Sequence, residues 1–411
     1  MLKPEDRFFA FEGSIYPGGP STWYITDWDQ RRLISVTMDE ELESADPAIE
    51  QLSKHVDDLE PGIFEIRVSS QGDLISTSTS PEDDNTRCPF YAPLEAIEKA
   101  EDIQAIPRSK LEELDRLGPL VDLVTDLQSS KTGEKLVFKY YFVYQRMSFV
   151  WNEMNLWMRL PKQHPNIVFF DKIVVDELEG RCVGFTTKYI AGGTLDENKS
   201  LVFKLKWLHQ LIAVIDELNL KLGIAHQDVA LRNLVINDLT DSLLILYFNF
   251  SARVGDVGFS QARNDVDGVV FTMYELITGH DELRSVEHEK QNVSHIEGIE
   301  WIKHPDVQLD RPVAEFRKVL DQWSTERRKD ANRINTYKDA PNYIEWPGIP
   351  RPPPSEIVTN YITGPMIESY GLWSMGRREM LEQGKVVLNW QRPAPTKLKL
   401  GERLLETGEY T

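Results

Sequence analysis

The segment His226-Gln227-Asp228-Val229-Ala230-Leu231-Arg232-Asn233 places an imidazole, a carboxylate, a guanidinium and a carboxamide on one short stretch, with apolar sequence on both sides. Upstream, Phe203, Trp207, Leu208, Leu211, Ile212, Ile215, Leu218 and Leu222 fall at helical spacing, and downstream Leu243 to Phe250 is an apolar run. A helix buried along one face therefore delivers a polar loop to the edge of a core. Asp228 is placed to accept a proton from an incoming nucleophile. The alternative is a turn aspartate bonding nearby backbone amides. Arg232 holds an anionic group of a substrate or closes a salt bridge, and His226 is a packed residue that keeps the loop in shape.

The H-x-D-x-x-x-x-N spacing resembles the catalytic loop of the protein-kinase superfamily, and the resemblance extends over roughly residues 107 to 323. It implies an α+β, bilobal kinase-like fold. Asp228 then takes the role of catalytic base, and Asn233 bonds the loop backbone or ligates a metal. Residues 107–190 become a small lobe with strands at Leu111 to Leu117, Val121 to Leu127 and Lys135 to Phe142, turns at Gly118-Pro119 and Ser129 to Gly133, and a helix from about Gln145 to Leu160. Lys139 matches the strand lysine that reaches phosphate, and Glu153 the helix glutamate that directs it. Their bland reading is an exposed strand lysine and an ordinary helix glutamate. His164 to Val168 begins a further strand, and Val183 to Tyr189 resembles the strand entering the hinge. Residues 191–335 become the large lobe, in which Asp265 opens a nearly apolar helix and anchors the catalytic loop. Arg232, Tyr247, Asn249 and Tyr189 are the expected substrate-side residues.

Three departures separate this chain from protein kinases: two argue against ATP and Mg²⁺, so no cofactor is expected, and the third argues against a peptide substrate. Between the first two strands, Arg116-Leu117-Gly118-Pro119-Leu120-Val121 has one glycine where kinases close a glycine-rich loop over triphosphate. Tyr247-Phe248-Asn249 stands in the place of Asp-Phe-Gly, and a neutral phenol is a poor ligand for a hard cation. Only 15 residues separate Asn249 from Asp265, too few for the segment that docks a peptide on a protein kinase. No metal ligands are assigned. The proton-handling half of the site persists while the metal-handling half is gone.

Residues 1–106 read as an appended acidic α+β region. The first hundred residues hold 21 acidic and 8 basic side chains, a net of −13 out of −20 for the chain. Strands are expected at Phe8 to Phe11, Trp23 to Thr26, Arg32 to Met38 and Ile63 to Val68, with one helix near Pro47 to Asp57 and a mobile loop from Ser76 to Arg87. Residues 336–411 read as a proline-rich extension with a helix from Met366 to Gln383, packing on the large lobe through Trp346, Trp373 and Trp390. Such a net charge disfavours DNA and anionic membrane. Arg327-Arg328-Lys329 with Arg333, or Arg392, Lys397, Lys399 and Arg403, form a local basic patch or a solvated face. Cys88 and Cys182 are too few for a disulfide framework, no apolar run spans a bilayer and no export signal is evident, so a cytoplasmic location is expected.

At a finer level, the Gln-Asp-Val-Ala-Leu-Arg-Asn-Leu and Tyr-Phe-Asn-Phe-Ser-Ala wording and the terminal additions resemble a fungal group of kinase-like proteins. In overall size and degenerate kinase pattern the chain is similar to the arginine-containing cyclodipeptide synthases, which join aminoacyl groups taken from charged tRNAs. That similarity implies a transferase in which Asp228 deprotonates an attacking amine, with aminoacyl-tRNA as partner through the local basic patch. The alternatives are a pseudokinase scaffold and an atypical small-molecule kinase.

Overall fold

In the computed structural model, which describes residues 2–129, 133–329, 333–361 and 364–410, strands appear where β-branched and aromatic residues alternate with polar ones near the N-terminus. Phe8–Ile15, Ser21–Asp27, Arg32–Met38, Glu65–Val68 and Leu74–Ser78 form a five-stranded sheet in chain order. Its one parallel pair joins Arg32–Met38 to Glu65–Val68, and the helix Asp46–His55 makes the crossover. Pro47 starts that helix, where its missing N–H costs nothing. Ile25, Ile34, Val36, Ala48, Leu52, Ile66 and Val68 meet in the core between helix and sheet. Part of the expected Ser76 to Arg87 loop is strand, because Leu74–Ser78 pairs its backbone with Glu65–Val68.

A six-stranded sheet follows, in the order Ala105–Pro107, Phe170–Val175, Cys182–Lys188, Lys135–Tyr140, Val121–Asp126 and Leu111–Gly118. Gly184 lets two of these strands approach, since a Cβ there would lie 2.1 Å from Lys139 O. Part of the expected turn at Ser129 to Gly133 lies outside the described residues. The helix Tyr144–Trp157 takes the place expected for it. The strand expected from His164 starts later, at Phe170, with only Ile167 bridging to Ile245.

By density of contacts the chain divides into two units that do not follow chain order: residues 1–150, 171–187 and 349–411 make the first, and 151–170 with 188–348 the second. The C-terminal extension is thus corrected on two points. Instead of a helix from Met366 to Gln383, Pro354–Tyr361 and Gly364–Gly371 pair as a hairpin, Ser374–Gly376 joins Arg87–Pro89, and only Arg377–Glu382 is helical. Strand pairing, with a neighbour in the hairpin and with a strand distant in sequence at Ser374–Gly376, outweighs the local helical pattern. From residue 349 on, the extension also belongs to the first unit. Trp390 stacks on Tyr140 with ring centres 5.1 Å apart, and Leu404 and Glu406 bond the edge strand Leu111–Gly118. Trp346 stays in the second unit, donating to Asn152 Oδ1 at 2.6 Å, and Trp373 is exposed.

In the second unit the helix Leu205–Asp216 buries Trp207, Leu208, Leu211, Val214 and Ile215 and passes into a widened π turn over Glu217–Lys221. That turn ends the regular helix short of the expected Leu222. The helix Asp265–Thr278 lies beside it, capped by the Asn264 side chain and stopped by Gly279 at φ 72°. The chain is therefore a mixed α and β protein. Among the described residues, no helix is long and apolar enough to cross a membrane.

Candidate active site around Asp228

The polar loop hangs from Asp265. Its carboxylate accepts from His226 N, Gln227 N and Asn219 Nδ2, each at 2.7 Å. Asn219 in turn donates to Ile224 O and accepts from Arg327 Nη2 at 3.0 Å. A buried carboxylate is tolerated when fixed donors replace its water, and three amides do so here. Gln227 has φ +63°, a left-handed backbone that costs a side-chain-bearing residue about 1–3 kcal/mol. Its own side chain holds it there, donating to Phe250 O and Gly258 O and accepting from Ser260 N at 2.5 Å.

His226 is fully buried. Its Nδ1 faces the Asp228 N–H at 3.3 Å and must accept, which leaves the proton on Nε2 for Leu246 O at 3.1 Å. The ring also meets the Phe248 ring edge-on, 5.1 Å between centres. Backbone, imidazole and aromatic packing together fix where Asp228 points.

The Asp228 side chain is 10% exposed and both its oxygens are engaged. Asn233 Nδ2 donates to Oδ2 at 2.8 Å and to the Asp228 carbonyl at 2.7 Å, while Arg232, itself 59% exposed, pairs with Oδ1. Of the two readings open for Arg232, the structure has the salt bridge. The residue after Asp228 is pinned by Arg284, which donates to Val229 O at 2.9 Å and Gly268 O at 2.8 Å.

Leu246 N donates to Asn233 O at 3.1 Å and leads the chain into Tyr247, whose φ is +62°. Tyr247 as a whole is half-buried, but its phenol lies deep, and burial, then the charges of Glu153 and Glu197, push its ionisation well above the usual range. Glu153 is buried, and its Oε1 accepts from Phe248 N at 2.9 Å. Asn249 and Tyr189 are half-buried. Lys139 is buried on its strand in the first unit, so the reading as an exposed strand lysine is corrected. The structure thus joins Asp228, Arg232 and Asn233 directly, with His226 and Asp265 supporting them. Tyr247 follows on the strand side, and Glu153 is tied to the backbone after it.

Ala230, Leu231 and Arg232 also wall a cavity of about 610 Å³ that Asp196, Lys199, Glu275, Asp281 and Arg284 help to line. Burial pushes the Glu275 carboxyl up to about 7, although Arg284 Nε lies 2.9 Å away and opposes the shift. Gln227, Arg284 and Glu275 were missed in the sequence. Gln227 adjoins Asp228 and its position was the only available signal. Arg284 and Glu275 are far along the chain and carry no motif.

The expected basic patches are largely neutralised. Arg327 pairs with Asp216, Arg328 with Asp267 and Glu297, and Lys329 with Glu326. Arg392 is buried against Asp29 and Glu113, and Arg403 and Lys399 face Glu112 and Glu402. Among the described residues, the acidic trio close enough to share a cation is Glu113, Asp122 and Glu406 in the first unit, and Arg31, Arg116 and Arg392 already sit on it. No protein-family model matches this chain, and no curated protein sequence matches it.

Proposed function

We propose that this chain is a kinase-like transferase that has left Mg·ATP chemistry, with Asp228 as general base in acyl transfer to an amine, the reaction type of arginine-containing cyclodipeptide synthesis. The observation that carries this reading is the Asp228 carboxylate. Asn233 aims it at 2.8 Å and the exposed Arg232 covers it; Asp228 itself lines a small cavity of about 40 Å³ with Arg263, Arg284 and His288, and Arg232 and Arg284 also wall the 610 Å³ cavity. The division into two units, one with the Lys139 strand and the other with the Asp228 loop, supports a bilobal kinase-like fold. A phenol at position 247, where kinases place a metal-binding carboxylate, supports a reaction that does not run through Mg²⁺.

In the proposed step Arg232 moves off Oδ1. The amine nitrogen bonds the carbonyl carbon of an activated acyl ester and gives its proton to Asp228. The C–O bond to the carrier breaks, and the departing alkoxide takes that proton back. Acidic Asp196, Glu275 and Asp281 beside basic Lys199, Arg232 and Arg284 suit a zwitterionic, amino-acid-like body. Because the basic clusters are paired with acids, tRNA and a smaller ester are both retained as carriers to be tested.

The purified chain, incubated with a full set of charged tRNAs and separately with small aminoacyl esters, should release a cyclic dipeptide, the amine of the first-formed dipeptidyl ester attacking its own ester carbonyl and expelling the second carrier. Asp228→Asn should slow that release by about 100-fold or more while leaving the melting temperature unchanged. No product from either carrier would sink the proposal. A second reading, a pseudokinase scaffold, is favoured by the fact that both Asp228 oxygens are already occupied. A catalytic loss in Asp228→Asn would count against it. Stabilisation by ATP only with Mg²⁺ in a melting assay would instead mark a small-molecule kinase.

A further inference from the structure

The first unit contains a cavity of about 80 Å³, room for about five to eight waters at about 10–15 Å³ each. Its charged lining is one-sided. Arg31, Arg32, Arg87, Arg181 and Arg377 face it, and Glu12 is the acid among the lining residues. Three of these cations, Arg31, Arg32 and Arg87, come from the first hundred residues, which carry most of the net charge of −20. Tyr91 and Trp390, also in the lining, supply aromatic surface.

Several of these guanidiniums have donors to spare. Arg87 gives Nε and Nη2 to the uncharged Ser374 Oγ and O, at 3.1 and 3.3 Å. Arg181 spends Nε on Asp176 and Nη1 on Glu179, yet its Nη2 is buried without a hydrogen-bond partner. Arg32 is buried, bonds the carbonyls of Val56 and Glu60, and leaves its Nε unpartnered. Arg377 gives Nε to Asp84 and lies over the Phe64 ring at 5.0 Å. Arg31, Arg181 and Arg377 already have carboxylate partners, so the guanidiniums at this cavity held by uncharged oxygens are those of the buried Arg32 and of Arg87, and an anion entering at Arg87 would gain a charged partner at little desolvation cost.

We propose that this cavity is a binding site for a small organic anion, a carboxylate or phosphate carried on a compact apolar or aromatic body. Arg87, Arg181 and Arg377 hold the anion, and Phe11, Leu388 and the ring edges of Tyr91 and Trp390 border the body. The site binds rather than reacts. Its thiol, Cys88, is surrounded by Arg377, Arg181 and Arg87, but burial outweighs them and pushes it up to about 11, so it is protonated at neutral pH. The site belongs wholly to the first unit and stands independently of the proposed acyl transfer.

The test uses the full chain with five probes, read by calorimetry and thermal melting. Phenyl phosphate and phenylacetate carry ring and anion, inorganic phosphate and acetate carry the anion alone, and benzyl alcohol carries the ring alone. At least one ring-bearing anion should raise the melting temperature and bind about tenfold or more tightly than the bare anions and the alcohol. A preference for phenyl phosphate assigns the anion as phosphate, and a preference for phenylacetate assigns it as carboxylate. Arg87→Met and Arg377→Met should each weaken that binding about tenfold or more. Arg87 is exposed and bonds only serine oxygens, so its variant should melt like the parent without ligand. Binding by none of the probes, equal binding of benzyl alcohol, or unchanged affinity in both arginine variants would overturn the proposal.

Discussion

Asp265 in the second unit accepts three hydrogen bonds of 2.7 Å from neutral donors, whereas Glu406 in the first sits among Arg31, Asp122 and Glu113. Around Glu406 four carboxylates, Asp29, Glu113, Asp122 and Glu406, meet three guanidiniums, Arg31, Arg116 and Arg392. With one acid in excess, burial pushes Glu406 well above the usual carboxylate range even though Arg31 opposes it. Fixed dipoles set direction at the first carboxylate, and opposite charges tie strands together at the second. The Arg31–Glu406 contacts also join the C-terminal tail to the N-terminal sheet, as Arg31 Nη1 donates to Glu406 O at 3.0 Å.

The largest effect should come from breaking the ionic network. Arg31→Met leaves buried carboxylates short of a partner and should cost about 3–5 kcal/mol in urea unfolding of the first unit. A loss below about 1 kcal/mol, as for an exposed pair, would erase the contrast drawn with Asp265.

The second experiment asks whether the contrast follows the unit or the type of partner. Glu275 lies in the second unit but pairs with Arg284, and burial raises its pKa from 4.5 to about 7. The folded chain therefore keeps a proton that the unfolded chain releases near 4.5. Its contribution to stability is full below that pH and is lost as pH rises through about 7. The linked change is at most about 3 kcal/mol. In Glu275→Gln the stability of the second unit should vary less over that range, measured by urea titration at several pH values. An unchanged slope would remove Glu275 from the pH-sensitive class.

The smallest of the three is Asp265→Asn. One carboxamide cannot accept from every donor that Asp265 serves, so about 2–3 kcal/mol should be lost. Amide hydrogen exchange should speed up at His226 and Gln227 ahead of the rest of the unit. Uniform acceleration across the unit would mean that Asp265 supports the fold generally and has no special hold on the loop.

Much of the secondary structure could be read because its cause is local. Alternation placed Arg32–Met38, a helical apolar stripe placed Leu205–Asp216, and an asparagine cap with a terminal glycine bounds Asp265–Thr278. The C-terminal hairpin and the strand Leu74–Ser78 were missed because each depends on a partner strand that local periodicity does not report. At the candidate site, the spacing from His226 to Asn233 named the residues that do meet. It did not reveal that Arg232 would cover Asp228, or that Arg284 would fix the residue beside it. The basic clusters were misread for a related reason. Lys and Arg are contiguous in sequence, while Asp216, Asp267 and Glu297, which neutralise Arg327 and Arg328, come from other elements.

By itself the sequence determined the type and approximate place of many helices and strands and of the polar loop, because propensity, periodicity and capping act within a few residues. Only the tertiary structure decided that residues 349–411 join the first unit, that Glu406 shares a buried ionic network with Arg31, and that five arginines line one cavity. Charge and burial at those places depend on groups hundreds of residues apart in the chain, and their energies exist only once folding has excluded water between them.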